Sequence, residues 1–337
     1  MKCDFFFLIT FALLTLFMNT DILLSNITNP TLLFFLLGVI ASIVKSDLEI
    51  PQQSVKFISL YLLFSIGFKG GQELAHGGFT KEVIITLLIA LFLASLVPLY
   101  SFFILKRKLN VYDAGAVAAA YGSVSAVTFV SASSFLEAEQ VHYGGHMVAA
   151  MALMEAPAII IGVMLIRKFD EQKDQQHRLR YIVHDALTNG SVLMIMGSLI
   201  IGIVTDSKQA EGIKPFTSDI FKGFLAVFLL EMGMVAAKRF KAFRSYGWFV
   251  TLFGLIIPPL NGILAIAITS MFSIEPGNRF LVAILAASAS YIAVPAAMRL
   301  AAPKSDPGLY IPMALGVTFP FNITIGIPLY WWLVHQF

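Results

Sequence analysis

The chain holds one cysteine, Cys3, in 337 residues. That excludes an internal disulfide and a thiolate metal cluster. Charge is scarce too: Asp, Glu, Lys and Arg make up 13%, where a soluble domain carries about a quarter. So little polar surface cannot cover a water-exposed globule. There is no glycine loop to cradle phosphate, no His-Glu-x-x-His and no nucleophile elbow. With no nucleophile–base pair or metal cluster legible, the chain does not read as an enzyme. The net charge is only +3 and no basic face is interleaved with aromatics, which argues against nucleic acid as a partner. His142 and His146 have ligand-like spacing, but Gly144 and Gly145 between them weaken a helical metal site, and no metal is expected.

What is present is apolar. Hydrophobic residues make up 58% and mean hydropathy is +0.82. Long apolar runs recur between short charged ones, the pattern of membrane helices of about 20 residues. They lack the alternation of barrel strands, and a bilayer leaves no water for unpaired backbone groups, so helices remain. The expected fold is an all-α polytopic membrane protein with ten spans. They lie at about 30–46, 52–69, 81–104, 113–136, 144–166, 182–204, 219–237, 246–273, 279–299 and 308–334. Two of these, 52–69 and 219–237, are short and read as tilted or re-entrant.

Orientation follows from Lys and Arg. With residue 30 outside, the inner loops hold 16 of the 23 basic residues, including Lys45, Lys106, Arg107, Lys108, Arg167, Lys168, Arg299 and Lys304. The positive-inside rule favours this choice and puts both termini outside a cell inner membrane. Residues 1–29 form a separate hydrophobic segment whose FFFLITFALLTLFM run (5–18) is short for a span. It reads as a signal or an uncleaved interfacial helix. The longest inner loop, 167–181, reads as a solvated linker or a docking site for a cytosolic regulator.

The halves 30–166 and 182–337 resemble each other at an offset of about 160 residues. Ile43-Val44 matches Ile203-Val204, Gly67 matches Gly233, and Pro98 falls near Pro258 and Pro259. Met151-Ala152-Leu153 with Pro157 and Gly162 matches Met313-Ala314-Leu315 with Pro320 and Gly326. Five spans per half put the second repeat in the membrane upside down, an inverted repeat of the kind many secondary transporters use.

The fourth span of each half is rich in small and hydroxyl residues: AAAYGSVSAVTFVSASS (118–134) and AASASYIAVPAAMR (286–299). Gly122 in one and Pro295 in the other can break the helix at mid-membrane. Half-helix N-termini suit an anion, and unwound carbonyls and hydroxyls suit a small cation. The competing reading is packing alone, since small side chains let helices cross closely. On the functional reading Gly122, Ser123, Ser125, Thr128, Ser288, Ser290 and Tyr291 contact the substrate. Ion coupling falls to the polar residues within spans: Glu155, Glu231, Lys69, Asn322 and Thr324. Lys69 either pairs with Glu231 across the repeat axis or reaches to the interface. Glu155 either serves coupling or bonds a carbonyl freed by Pro157. Asn322 and Thr324 either hold an ion or bond the backbone.

Several segments resemble the sodium-dependent bicarbonate transporters of cyanobacteria and their bacterial relatives: NPTLLFFLLGVI, IGFKGGQEL, YGSVSAVTFVSASSFLEAEQ, MEAPA, EMGM, AASASYIAVPAAMRLAAPKSDPGLYIP and IGIPL. The resemblance covers about residues 21–335. It implies a ten-helix inverted-repeat fold, a trimer, sodium-coupled bicarbonate uptake without a cofactor other than Na+, and a PII-like regulator at 167–181. Within the pattern Ser125, Thr128, Ser288 and Ser290 match, while Tyr291 stands where the family carries Asp and Glu155 where it carries Asp. Lys69 replaces a small polar residue. Two further expectations stand beside sodium symport: proton-coupled transport of another small anion or organic acid, and a non-transporting sensor on the same fold.

Overall fold

The computed structural model of the chain describes residues 28–78, 80–170, 184, 188, 190–243 and 246–337. Most of the N-terminal segment 1–29 and of the linker 167–181 lies outside the described residues. Helix accounts for about four-fifths of the described residues, and no strand occurs among them.

In chain order the helices are α1 (Pro30–Ile43), α2 (Gln52–Gly77), α3 (Lys81–Leu105), α4 (Val111–Gly122), α5 (Ala126–Ala138) and α6 (His146–Phe169). Then follow α7 (Gly190–Val204), α8 (Ser207–Lys214), α9 (Phe221–Phe243), α10 (Trp248–Thr269), α11 (Pro276–Ala287), α12 (Ala293–Ala301) and α13 (Pro307–Val334). Their starts are written in the sequence. Asn29, Thr80, Asn110, Ser125, Asp206 and Asp306 each cap a helix, the side-chain oxygen accepting from a backbone N–H two or three residues on, which supplies a partner the first turn lacks. Pro30, Pro276 and Pro307 occupy first positions, where a missing N–H costs nothing.

Six segments are long and apolar enough to cross a membrane: Lys81–Leu105, Val111–Ala138, His146–Phe169, Ser207–Arg239, Trp248–Thr269 and Pro307–Val334. α1, α7 and α11 are shorter apolar helices. α2 has 26 residues but carries Lys56, Lys69 and Glu73. The expectation that 52–69 and 219–237 are short is corrected: α2 runs on to Gly77 and α9 to Phe243. The α2 extension persists because its polar residues find partners. Gln72 Nε2 donates to the carbonyls of Gly202 and Thr205 at the end of α7, and Lys69 pairs with Glu137.

The packing crosses between halves. α1 lies along α9 and α2 along α7, and glycines make both approaches close. A Cβ on Gly233 of α9 would sit 3.0 Å from the Phe35 carbonyl carbon of α1, and one on Gly202 of α7 would sit 3.0 Å from Gly71 Cα of α2. Gly67 in turn faces Ser198 and Ile195 of α7, and Gly38 faces Leu230 of α9. These four helices form a panel beside the remainder, in which α3 packs on α4 and α6, and α10 on α11 and α13. The turns are exchanged in the same manner. Asp113 in the first turn of α4 accepts from the Asp306 N–H (2.7 Å) just before α13. Asn278 in the first turn of α11 accepts from the Gly144 N–H (2.8 Å) just before α6.

Candidate functional site

The α4–α5 and α11–α12 segments break at residues 123–125 and 288–292 and meet at the breaks. In the 18-residue apolar core of Val111–Ala138, 94% of residues are buried. Away from its two ends this segment is enclosed by the other helices. Gly122, the last residue of α4, has no room for a side chain: a Cβ there would lie 2.5 Å from Pro98 Cδ of α3. The second break falls before Pro295, which sits in the first turn of α12, where its missing N–H is harmless.

Hydrogen bonds stitch the two breaks together. The Ser290 N–H donates to the Ala120 carbonyl (2.8 Å), so the second break closes the open end of α4. The Ser125 N–H donates to Ser288 Oγ (2.9 Å), and Ser288 Oγ donates to the Leu285 carbonyl (2.9 Å). One link is direct; its counterpart passes through a hydroxyl. Ser125 Oγ also accepts from Thr128 N–H (3.2 Å) and Thr128 Oγ1 (2.9 Å), and Ser290 Oγ accepts from Val294 N–H (3.4 Å). Ser123 ends α4 through its N–H to the Ala119 carbonyl (3.0 Å), while its hydroxyl is buried without a hydrogen-bond partner.

Beside the crossing lies a pocket with about 420 Å³ of space free of atoms, part of it open. Ser125, Ser290, Tyr291, Glu155, Ser59 and Ser191 give it polar character, and Leu62, Leu63, Val127 and Val130 line the rest. Glu155 of α6 is 5% exposed, and its Oε2 has no hydrogen-bond partner. The Tyr291 ring stacks edge-on against Phe319 of α13. Its hydroxyl comes near the Ser125 side chain without closing a hydrogen bond. Among the described residues Glu155 is the sole carboxylate lining the pocket, and no lysine or arginine lines it. A carboxylate held in an apolar interior without a cation is costly, and such groups in spans mark ion or proton handling.

The other residues assigned to ion coupling lie elsewhere. Asn322 is fully buried. Its Nδ2 donates to the Ala287 carbonyl at the open end of α11 (2.8 Å), and its Oδ1 accepts from Tyr330 (3.2 Å). Thr324 Oγ1 donates to the Pro320 carbonyl one turn back (2.7 Å). Pro320 and Pro328 interrupt hydrogen bonding in α13, which widens at Ala314–Thr318 and Asn322–Gly326; such bulges recur at functional sites. The pairing of Lys69 with Glu231 is corrected. Lys69 Nζ lies 2.9 Å from Glu137 Oε1 of α5. Lys222, in the first turn of α9, reaches the same carboxylate at 3.9 Å. Glu231 sits nine residues further along α9, about 13 Å deeper, so it is buried away from Lys69.

Two residues that sequence reasoning passed over complete the second break. Asn261 of α10 donates to the Ala286 carbonyl (3.0 Å) and accepts from the Tyr100 hydroxyl. With Ser288 and Asn322, it gives the last three carbonyls of α11 side-chain donors. The available signal was an amide in mid-span after Pro258-Pro259. No group of three or more His, Cys, Asp or Glu is placed to hold a metal among the described residues.

A search of curated proteins gave no match. The length, the apolar helices and the buried broken pair describe a multi-pass membrane protein. A family model described as the Na+-dependent bicarbonate transporter superfamily matches residues 30–335, from the first residue of α1 to just past α13, and the chain belongs to that superfamily.

Proposed function

We propose that the chain is a secondary transporter taking up a small anion, bicarbonate first among candidates, by alternating access around the α4–α5 and α11–α12 crossing. The observation that carries this reading is the pocket at the crossing, whose mostly apolar walls hold a small group of oxygen-bearing side chains. It places Ser125, Ser290 and Tyr291 beside the buried carboxyl of Glu155. The N-termini of α5 and α12 both lie at the breaks, the end of a helix that favours an anion, and Ser125 and Ser290 there each accept from one first-turn N–H. A hard cation needs oxygen ligands, and Glu155 and Tyr291 are the pocket residues with buried oxygens lacking partners. Glu155 is therefore assigned to the coupling ion, Na+ by family membership or a proton in the alternative.

The exchanged contacts of α1 with α9, α2 with α7, and the two fifth-helix turns support a 5+5 inverted repeat of ten crossings. Both termini are then on the outer side of the inner membrane, with a homotrimer and a regulator at 167–181 as further parts of this reading. A non-transporting sensor is less well supported, because a pocket holding the buried carboxyl of Glu155 lies beside Ser125 and Ser290.

The test is uptake of radiolabelled bicarbonate into proteoliposomes. Uptake stimulated by an inward sodium gradient is expected, falling roughly tenfold in Ser125→Ala and Ser290→Ala, as loss of a hydrogen bond to a charged ligand implies. Stimulation by a pH gradient without sodium moves the coupling to protons. Absence of uptake under both gradients defeats the bicarbonate assignment.

A further inference from the structure

The crossing pocket shares its seam with a second pocket. In the first, Leu62 and Leu63 of α2 face Val127 and Val130 of α5. In the second, Ile66, Lys69 and Glu73 of α2 face Ser133, Ser134 and Glu137 of α5. From Leu63 to Gly70 the seam advances about 10 Å along α2, with the apolar side chains of Leu63, Ile66 and Val130 between the two spaces.

At the far end stands Glu137. One carboxylate oxygen lies 2.9 Å from Lys69 of α2, the other 3.9 Å from Lys222 of α9. α2 and α9 belong to the four-helix panel, whereas α5 is half of a broken helix. Both ion pairs therefore tie the broken helix to the panel at this end. Among the described residues no other ion pair joins α5 to the panel. Glu73, whose buried Oε2 lacks a hydrogen-bond partner, lies within electrostatic reach of Lys69 and Glu137.

We propose that Lys69, Glu137 and Lys222 form a latch that holds this end of the seam shut, so that exposing the second pocket requires Glu137 to leave both lysines. The inference rests on the alternating-access reading. The side chains of Lys69, Glu137 and Lys222 are 36%, 31% and 57% exposed, and pairs so close to water each shift an equilibrium only a few-fold. That weakness suits a contact made and broken in every cycle.

The test uses reconstituted full-length chain carrying Cys3→Ser and Ser134→Cys. The reaction rate of the new thiol with a small water-soluble thiol reagent reports opening of the second pocket. Glu137→Gln raises the rate about fivefold, the factor expected of one such pair or slightly more, and Lys69→Gln moves it the same way. Lys222→Gln, which leaves the Lys69–Glu137 pair in place, raises it less than Glu137→Gln. If Glu137→Gln does not reconstitute, Lys69→Gln carries the same expectation. Rates unchanged in both Glu137→Gln and Lys69→Gln overturn the latch. If labelling behaves as expected while the parent chain takes up no anion, the latch stands and the transport reading fails.

Discussion

Asn322 and Asn261 show how much depends on single amides inside the membrane. Ala286 and Ala287 end α11 with carbonyls that have no helical partner, and the two asparagines supply one donor each. Asn322→Leu removes the donor to Ala287 and the acceptor of Tyr330. It should cost about 1–3 kcal/mol, the usual penalty for a buried polar group left unpaired. A lower melting temperature in detergent checks this. Thr324→Val, which keeps the side-chain shape and removes the hydroxyl bond to the Pro320 carbonyl one turn back, should melt closer to the parent than Asn322→Leu. An amide flanked by Pro320 and Thr324 is conspicuous in sequence, but sequence alone does not say whether it faces an ion or a carbonyl. Rotation of α13 against α11 decides that, and Asn322 faces the carbonyl. Glu155 was legible as a costly mid-span acid; its place beside Ser125 needed the fold.

Helices were the most legible level, because apolar run length and capping residues are local. α3 and α13 begin and end within a residue or so of their expected bounds, and both broken spans were visible in their small, hydroxyl-rich composition. The reading went short at α2 and α9, where charged residues resemble helix ends. Lys69 and Gln72 continue α2 because partners on α5 and α7 satisfy them, and those partners are more than 60 residues away in sequence. The Gly67 and Gly233 pairing was legible as a repeat signal; the structure adds that both sit at close helix contacts. α9 offers a controlled comparison. Gly233 meets α1 backbone, whereas a Cβ on Gly223 would meet nothing within 4 Å. Gly233→Ala should destabilise by about 1–3 kcal/mol through overpacking, while Gly223→Ala should be neutral or stabilising by up to about 1 kcal/mol through helix propensity. Thermal unfolding of the two variants side by side tests the contrast.

At the scale of the molecule, the charge pattern predicts which ends of α3 meet which side. Gly78 precedes that helix and the Lys106-Arg107-Lys108 turn follows it. Single cysteines replacing Gly78 and Arg107, each in a Cys3→Ser chain, should react with an impermeant thiol reagent from opposite sides: Gly78→Cys in intact cells and Arg107→Cys in inverted vesicles. Reaction of both from one side would overturn the ten-crossing topology. The exchange of partners between halves also bears on how the chain is made. α1 and α2 are synthesised first, yet the helices that cover their glycine faces, α9 and α7, come more than 100 residues later. During insertion the first half therefore waits with Gly38, Gly67 and Gly71 facing lipid. Neither half produced alone would hold its shape, but two separately expressed halves, divided within 171–181, should find each other in the bilayer and restore the whole.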